Sequence, residues 1–409
     1  MKKSLNELEK KQYKYLIKVL SSAVNLTPAP VPYEGIIWEN ILRYAKNCGV
    51  SAMFANTVLS LPQEYLPSKE VQSELRQIQA GELLIDANLT YEIEILLKNF
   101  DKYGIKNVPL KGYFMKQEYP RSDYRSVSDF DILFDVNQLN QVKKVFSELG
   151  YKFVHYDDTQ YHFSKKPFMY VEMHKSLTHE YEIYNPYMEN QLENTYKRNG
   201  YEFSYEMSKE DHYLYMLIHS SNHFRIGGIG IRTLLDTYLY YKRYCSEFDF
   251  NYLNNKLRLF KLEKYENRLR QIAYNWFSKP EPLTEFDDIE TYILLSTTLG
   301  RLDVCVLIES QSRIENGIKT GKKKSKLSYL RSSIFPPKSI MVFDYRYLEK
   351  FPFLLPVSWI HMWFTRIFVC RNVSVKRGLK NRLSYTGDDV KYIKKLFNDV
   401  GFTNLGLRE

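Results

Sequence analysis

Apolar residues recur at three- and four-residue spacing from residue 4 to about 101. Ile36, Ile37, Ile41, Leu42 and Ala45 form one run, and Leu83, Leu84, Ala87 and Leu89 another. That is the periodicity of amphipathic helices. Pro62 and Pro67 separate helices within this stretch, and the run YEIEILLKNFDKYG stops at Gly104, a helix C-cap. The texture then changes. Residues 105–110, 129–134, 151–155 and 168–174 predict short strands, and 135–150 predict a helix turning Val142, Val145, Phe146 and Leu149 inward. Past residue 185 the pattern is helical again, with HYLYMLIHSSNHF and IRTLLDTYLYYKRY as strong windows and Glu210 and Asp211 suiting the first helix's start.

The pattern predicts an α+β protein: a small core of strands and helices in layers at 101–184 flanked by an N-terminal helical region (1–100), a helical domain (185–314), a basic linker (315–328) and a C-terminal helical segment (329–409). The linker, ENGIKTGKKKSKLS, serves solubility before it serves a nucleic-acid contact. The N-terminus has a basic start but no apolar core or cleavage site, so it reads as a helix and not a signal peptide. FPFLLPVSWIHMWFTRIFVC approaches membrane-spanning length, but Pro352, Pro356, His361 and Arg366 interrupt it. No integral span is expected there. A buried or interfacial helix is, and Trp359, Trp363 and Arg366 share neighbouring helical positions suited to a peripheral membrane contact.

Lys and Arg outnumber Asp and Glu by 58 to 48, a formal charge of +10 that suits polyanions such as nucleotides, RNA or an anionic membrane face. The 35 Tyr and 24 Phe accord with an AT-rich coding sequence as readily as with a ligand. Cys48, Cys245, Cys305 and Cys370 lie far apart with no CxxC pair, which excludes a local zinc knuckle and fits a reduced, cytoplasmic setting.

Three features of the strand-rich stretch carry chemistry. Lys111-Gly112 follows a strand, where glycine permits close backbone approach to a phosphate and the ammonium neutralises its charge. In Asp129-Phe130-Asp131 the two acids share one strand face, an arrangement that a divalent cation relieves. That pair alone fits an exposed strand edge equally well. Glu172, set among Tyr170, Val171 and Met173, is costly to bury unless paired or metal-bound, and beside the first strand it supplies a third carboxylate.

Leu110-Lys111-Gly112, Arg125 to Leu133 and Val171 to Lys175 together resemble the uncharacterised nucleotidyltransferase family of the DNA polymerase β-like superfamily, with its LKG element, R-x-x-x-D-h-D-L-like strand and V-E-L-H-W-like strand. Residues 35–54, HSSNHF, IRTLLDTYLY and 335–356 are similar to its flanking segments. The resemblance implies a polymerase β-like core in which Asp129, Asp131 and Glu172 hold two Mg²⁺ ions (or Mn²⁺) and Lys111, Gly112 and Arg125 bind an NTP. It implies transfer of the nucleotidyl group to a small-molecule, protein or RNA hydroxyl with pyrophosphate release. A non-catalytic nucleotide- or RNA-binding protein, or a γ-phosphate phosphotransferase, is the alternative.

Three departures matter, the first from the superfamily and shared by this family, the other two from the family's own pattern. Lys-Gly replaces the superfamily's Gly-Ser, Lys175 stands where Trp is usual, and Ser128 where Gly is common. Arg125 has an equal claim to a salt bridge with Asp123. His174, His219 and His223 are possible substrate contacts, with structural roles as the plainer reading. Arg232 and Asp236, four apart, suit a helix pair.

Overall fold

A computed structural model describes residues 1–157, 159–178, 184–188, 191–278, 285–298, 300–319, 331, 334–338, 341–342, 345–365 and 385–403. The chain divides into two compact units. The larger comprises Lys3–Asn222 and Ile229–Thr298. The smaller comprises Met1–Lys2, His223–Gly228 and the described part of Leu299–Leu407.

In the larger unit, α1 (Glu7–Asn25) starts at Asn6, whose side chain accepts from Glu9 N–H while the Glu9 carboxylate accepts in return. α2 (Trp38–Asn47) and α3 (Ser51–Val58) follow, and Pro62 and Pro67 fall between α3 and the 34-residue α4 (Lys69–Lys102). Leu83 and Leu84 lie on α4 but face solvent, whereas Leu89, Ile93, Leu96, Leu97 and Phe100 form its buried stripe. α4 ends as expected at Gly104. With φ of +68° it lets Ile105 N–H bond Phe100 O at 2.8 Å, and its own N–H bonds Asp101 O at 3.1 Å.

The strand-rich stretch holds β1 (Asn107–Pro109), α5 (Lys111–Glu118), β2 (Phe130–Phe134), α6 (Leu139–Glu148), β3 (Lys152–Tyr156), β4 (Gln160–Lys165) and β5 (Met169–His174). The sheet is mixed, in the order β1-β2-β5-β4-β3, with β2 and β5 parallel and the other neighbours antiparallel. A parallel pair needs a long connection. α6 and the β3–β4 hairpin provide it.

Alternation sorts the strands' side chains onto two faces. Phe130, Ile132 and Phe134, Phe163, and Met169, Val171 and Met173 pack with the α4 stripe and with Val142, Val145 and Phe146 of α6. The opposite face receives the polar residues between them. β4 is not announced by the sequence. Its outward residues, Gln160, His162 and Ser164, are polar, and only Tyr161 and Phe163 face the hydrophobic core or its edge.

Beyond the sheet, α7 (Asn185–Met188) precedes a small antiparallel hairpin of β6 (Thr195–Lys197) and β7 (Tyr205–Met207) where the pattern suggested helix throughout. Then come α8 (Lys209–Ile226), α9 (Ile231–Tyr244), α10 (Phe250–Leu259), α11 (Glu263–Phe277) and α12 (Asp288–Leu295). Glu210 and Asp211 occupy the first turn of α8.

The smaller unit contains α13 (Leu302–Lys319), α14 (Leu355–Phe364) and α15 (Gly387–Asp399). Residues 315–319 of the expected linker continue α13, and 320–328 lie outside the described residues. Among the described residues no helix is long and apolar enough to cross a membrane. On α14 the Trp359 and Trp363 indoles donate to Pro336 O and Ile334 O, both at 2.8 Å, so they face their own unit. Phe353, ahead of α14, and Val357, Ile360 and Phe364 on it are exposed. Arg366 lies outside the described residues.

Phe146 is the joint between α6 and the sheet, stacked on Phe163 at 4.0 Å and edge-on to Phe100 and Tyr151 at 5.8 and 5.0 Å. Phe146→Ala is expected to cost about 3–5 kcal/mol, read as a lower urea midpoint of the unfolding transition.

Candidate active site

Four strands place four polar side chains in one row. Asp131 of β2 is the register partner of Glu172 on β5, Glu172 of His162 on β4, and His162 of His155 on β3. The first pair meets the condition on which Glu172 could join the other acids, that the two acid-bearing strands be neighbours. Their side chains share a face because Phe130 and Val171, one residue earlier on each strand, are partners in the core.

His174 Nε2 lies 3.0 Å from Asp131 Oδ1 and 3.8 Å from Glu172 Oε2. Asp131, Glu172 and His174 each offer one ligand atom within 4.8 Å of the others. Asp129 stands outside that group. It is the residue before β2, its Oδ1 accepts from Ser128 Oγ at 3.2 Å, and its charge acts on Asp131 and Glu172.

Crowding splits the proton affinities of the acids. Burial opposes charge on Asp131, but the His174 hydrogen bond and the Lys111 ammonium hold its carboxyl well below the usual range. Burial and the Asp131 charge raise Asp129. Burial, Asp131 and Asp129 together push Glu172 up to about 7. One acid keeps its charge and its neighbours bear the repulsion.

Lys111 and Gly112 are the first two residues of α5. Lys111 Nζ lies 2.5 Å from His219 Nε2 on α8. A charged lysine can only donate, so His219 Nε2 is the acceptor. Desolvation lowers the proton affinity of Lys111, Asp131 and Asp129 counter it, and Arg125 and Arg232 reinforce it. A Cβ at Gly112 would meet its nearest neighbours at 3.8 Å, an ordinary contact, so protein packing does not demand glycine there.

Arg125 does not pair with Asp123, which is taken by Arg121 through two bonds of 2.9 Å. Its guanidinium grips Asp236 of α9 at 2.9 and 2.8 Å and reaches Gly112 O at 3.3 Å, all in a buried setting. Tyr119 adds a bond of 2.7 Å to the same Asp236. Arg232 donates to Ser126 O at 3.1 Å, and so braces the segment before β2. It also lowers the cost of charge on Asp129.

Residues 34–278, more than half of the chain, match the family described as uncharacterised nucleotidyltransferase. The chain belongs to this family. No curated protein and no solved structure matches it. Membership supports nucleotidyl transfer as its general chemistry and an enzyme of that kind.

The matched span includes every candidate site residue read from the sequence. The structure brings Lys111, Arg125, Asp129, Asp131, Glu172, His174 and His219 into one electrostatic neighbourhood. His223 is one turn beyond His219 on α8 and falls in the smaller unit. His155 and His162 complete the row without having been singled out, because the strand bearing His162 was itself unseen. Asp236 was singled out only as a helix partner of Arg232. A carboxylate that answers a residue more than a hundred positions away leaves no local spacing signal.

Two outcomes follow from these pairings. Asp236→Ala strands a buried guanidinium and is expected to cost about 3–5 kcal/mol, measured by urea unfolding, while the double variant Arg125→Met, Asp236→Leu recovers much of that loss. For Glu172 the folded pKa exceeds the unfolded one, so the stability it contributes is full below pH 4.5 and is lost as pH rises toward about 7. Asp129, also raised, acts with the same sign, whereas the depressed Asp131 acts below the ordinary carboxylate range. In chelator, the melting temperature of the wild type should fall across that window relative to Glu172→Gln.

Proposed function

We propose that the protein transfers a nucleotidyl group from a nucleoside triphosphate to an acceptor hydroxyl, with release of pyrophosphate, on the sheet face bearing Asp131 and Glu172, with Asp129 just ahead of β2. The observation that carries this reading is the direct register of Asp131 with Glu172 on parallel neighbours in a chain of the nucleotidyltransferase family. The donor set fits a divalent cation. Asp131 and Glu172 offer carboxylate oxygens, the hard ligands that Mg²⁺ or Mn²⁺ takes, within 4.8 Å of each other and of His174. Asp129 is available to share that ion or a second one, and its raised proton affinity is the mark of a carboxylate short of positive charge. Bound divalent ions would offset triphosphate charge and stabilise the leaving pyrophosphate.

The chain's own groups do the remaining work. Lys111 presents an ammonium at the start of α5, whose N-cap residue Leu110 has no side-chain acceptor, so the first N–H groups of that helix suit phosphate oxygens. Gly112 leaves the backbone open to close approach. In the reaction a bond forms from the acceptor oxygen to the α-phosphorus as the bond from that phosphorus to the bridging oxygen breaks. In this reading the hydroxyl proton passes to Glu172 as general base. His174 holds Asp131 in place through their 3.0 Å contact. The excess of basic residues, 58 against 48, favours an anionic acceptor, an RNA end among them.

The test is incubation of the protein with Mg²⁺, a cell extract as the acceptor source, and NTPs labelled at either the α or the γ phosphorus. Transfer of α label with pyrophosphate release is expected, falling by roughly 10²-fold or more in Asp131→Asn and Glu172→Gln while circular dichroism stays unchanged. Transfer of γ label alone would replace this reading with a phosphotransferase. Nucleotide binding without transfer, surviving Asp129→Ala and Asp131→Ala, would make the chain a binding protein.

A further inference from the structure

The polar row continues past the acids. His155 and His162 face each other across the β3–β4 pair, with ring centroids 3.9 Å apart and planes 14° from parallel. Asp157, just past β3, is fixed by its Oδ1, which accepts the backbone N–H groups of Thr159 and Gln160, both at 3.1 Å. Its Oδ2 lies 2.9 Å from His162 Nε2. One ligand atom from each of the three side chains lies within 4.8 Å of the others, with His155 and Asp157 exposed and His162 buried.

A clip that merely closes the hairpin needs only Asp157 and His162. It leaves the second imidazole, stacked on the first, unexplained. We propose that His155, Asp157 and His162 form a second metal site, for a divalent transition ion of the zinc class.

Donor chemistry sets the ion. Two imidazole nitrogens and one carboxylate oxygen suit Zn²⁺ or Co²⁺, whereas the oxygen pair at Asp131 and Glu172 suits Mg²⁺. Strand geometry favours it as well, because directly opposed residues of an antiparallel pair hold their Cβ atoms about 5 Å apart, within reach of one shared ion. Exposure of His155 and Asp157 leaves room for water as a fourth ligand, the pattern of an exchangeable site.

The outer contacts form an independent line of support. A metal-bound imidazole is normally oriented by a hydrogen bond from its other nitrogen. For His162 that nitrogen, Nδ1, lies 3.1 Å from Tyr170 Oη and 3.5 Å from Glu172 Oε1. With Nε2 on a metal, Nδ1 carries the proton and donates toward these two groups. Occupancy would therefore change what His162 presents to Glu172, from an acceptor to a donor. The site itself does not depend on the proposed transfer chemistry, but its influence on that chemistry rests on it.

The experiment titrates chelator-stripped, full-length protein with Co²⁺ in saturating Mg²⁺, following the visible absorption of the bound ion and then its displacement by Zn²⁺. One Co²⁺ per chain is expected, with the strong bands of four- or five-coordinate geometry. His155→Ala, a change on an exposed strand, should abolish the bands, and Tyr170→Phe should weaken Co²⁺ affinity by about tenfold. Asp131→Asn should leave the bands in place. The proposal is overturned if the stripped wild type gives no such bands, if His155→Ala leaves them unchanged, or if Asp131→Asn removes them while His155→Ala does not.

Discussion

Two carboxylates brought into direct register on neighbouring parallel strands repel each other, and the arrangement around them answers that repulsion. Asp131 keeps its charge because His174 and Lys111 supply positive or donating partners. Glu172, half-buried and facing the same acids, takes most of the strain and is pushed up to about 7. The asymmetry is built by the sheet. A slip of one residue between β2 and β5 would turn either Asp131 or Glu172 into the hydrophobic layer and bring Phe130 or Val171 out of it. The apolar packing of α4 and α6 therefore holds the acids together at the cost of their mutual repulsion, and a cation is the simplest relief.

The second support lies on the cationic side. Arg125 is buried between Asp236 and Gly112 O, so it ties α9, the start of α5 and the segment entering β2 into one cluster. A buried pair of this kind adds little net stability against an apolar substitute, but it is expensive to break and it fixes position. Its use here is geometric. Asp129 follows Arg125 by four residues, Arg232 braces Ser126 between them, and Lys111 adjoins Gly112. An arginine engaged so fully with Asp236 and Gly112 O is poorly placed to bind a substrate phosphate, and in the proposed reaction that role falls to Lys111.

The helical periodicity of the flanks and the acid-bearing strands were legible in the sequence, whereas the adjacency of those strands entered only as a condition that the sheet then met. Those features are local or repeat at fixed spacing: Glu172 framed by Val171 and Met173, Gly104 at a helix end; Asp129, expected to share a strand face with Asp131, lies one residue ahead of β2. What escaped was non-local or masked by function. β4 alternates as a strand should, but its outward positions hold His162 and Ser164, so its pattern reads as polar chain. Leu83 and Leu84 repeat at helical spacing yet face solvent, because the face that α4 buries runs through Val71, Leu75, Leu89 and Ile93 and passes them by. The pairing of Arg125 with Asp236 depends on how helices dock, which no spacing rule encodes.

β4 also alters how the row of polar side chains should be understood. From β2 to β3 the partners run acid, acid, imidazole, imidazole, with Asp157 beyond the last pair. Donor softness thus rises across the sheet in the order in which the strands are paired, not in the order of the chain. In the two proposed sites a hard ion would be favoured at the oxygen-rich end and a borderline ion at the nitrogen-rich end. Glu172 and His162 meet in the middle at 3.5 Å. Any ion at one end therefore changes the electrostatic surroundings of the other through that single contact. A sheet face that began as a problem of like charges becomes, by the addition of one hairpin, a graded series of ligands.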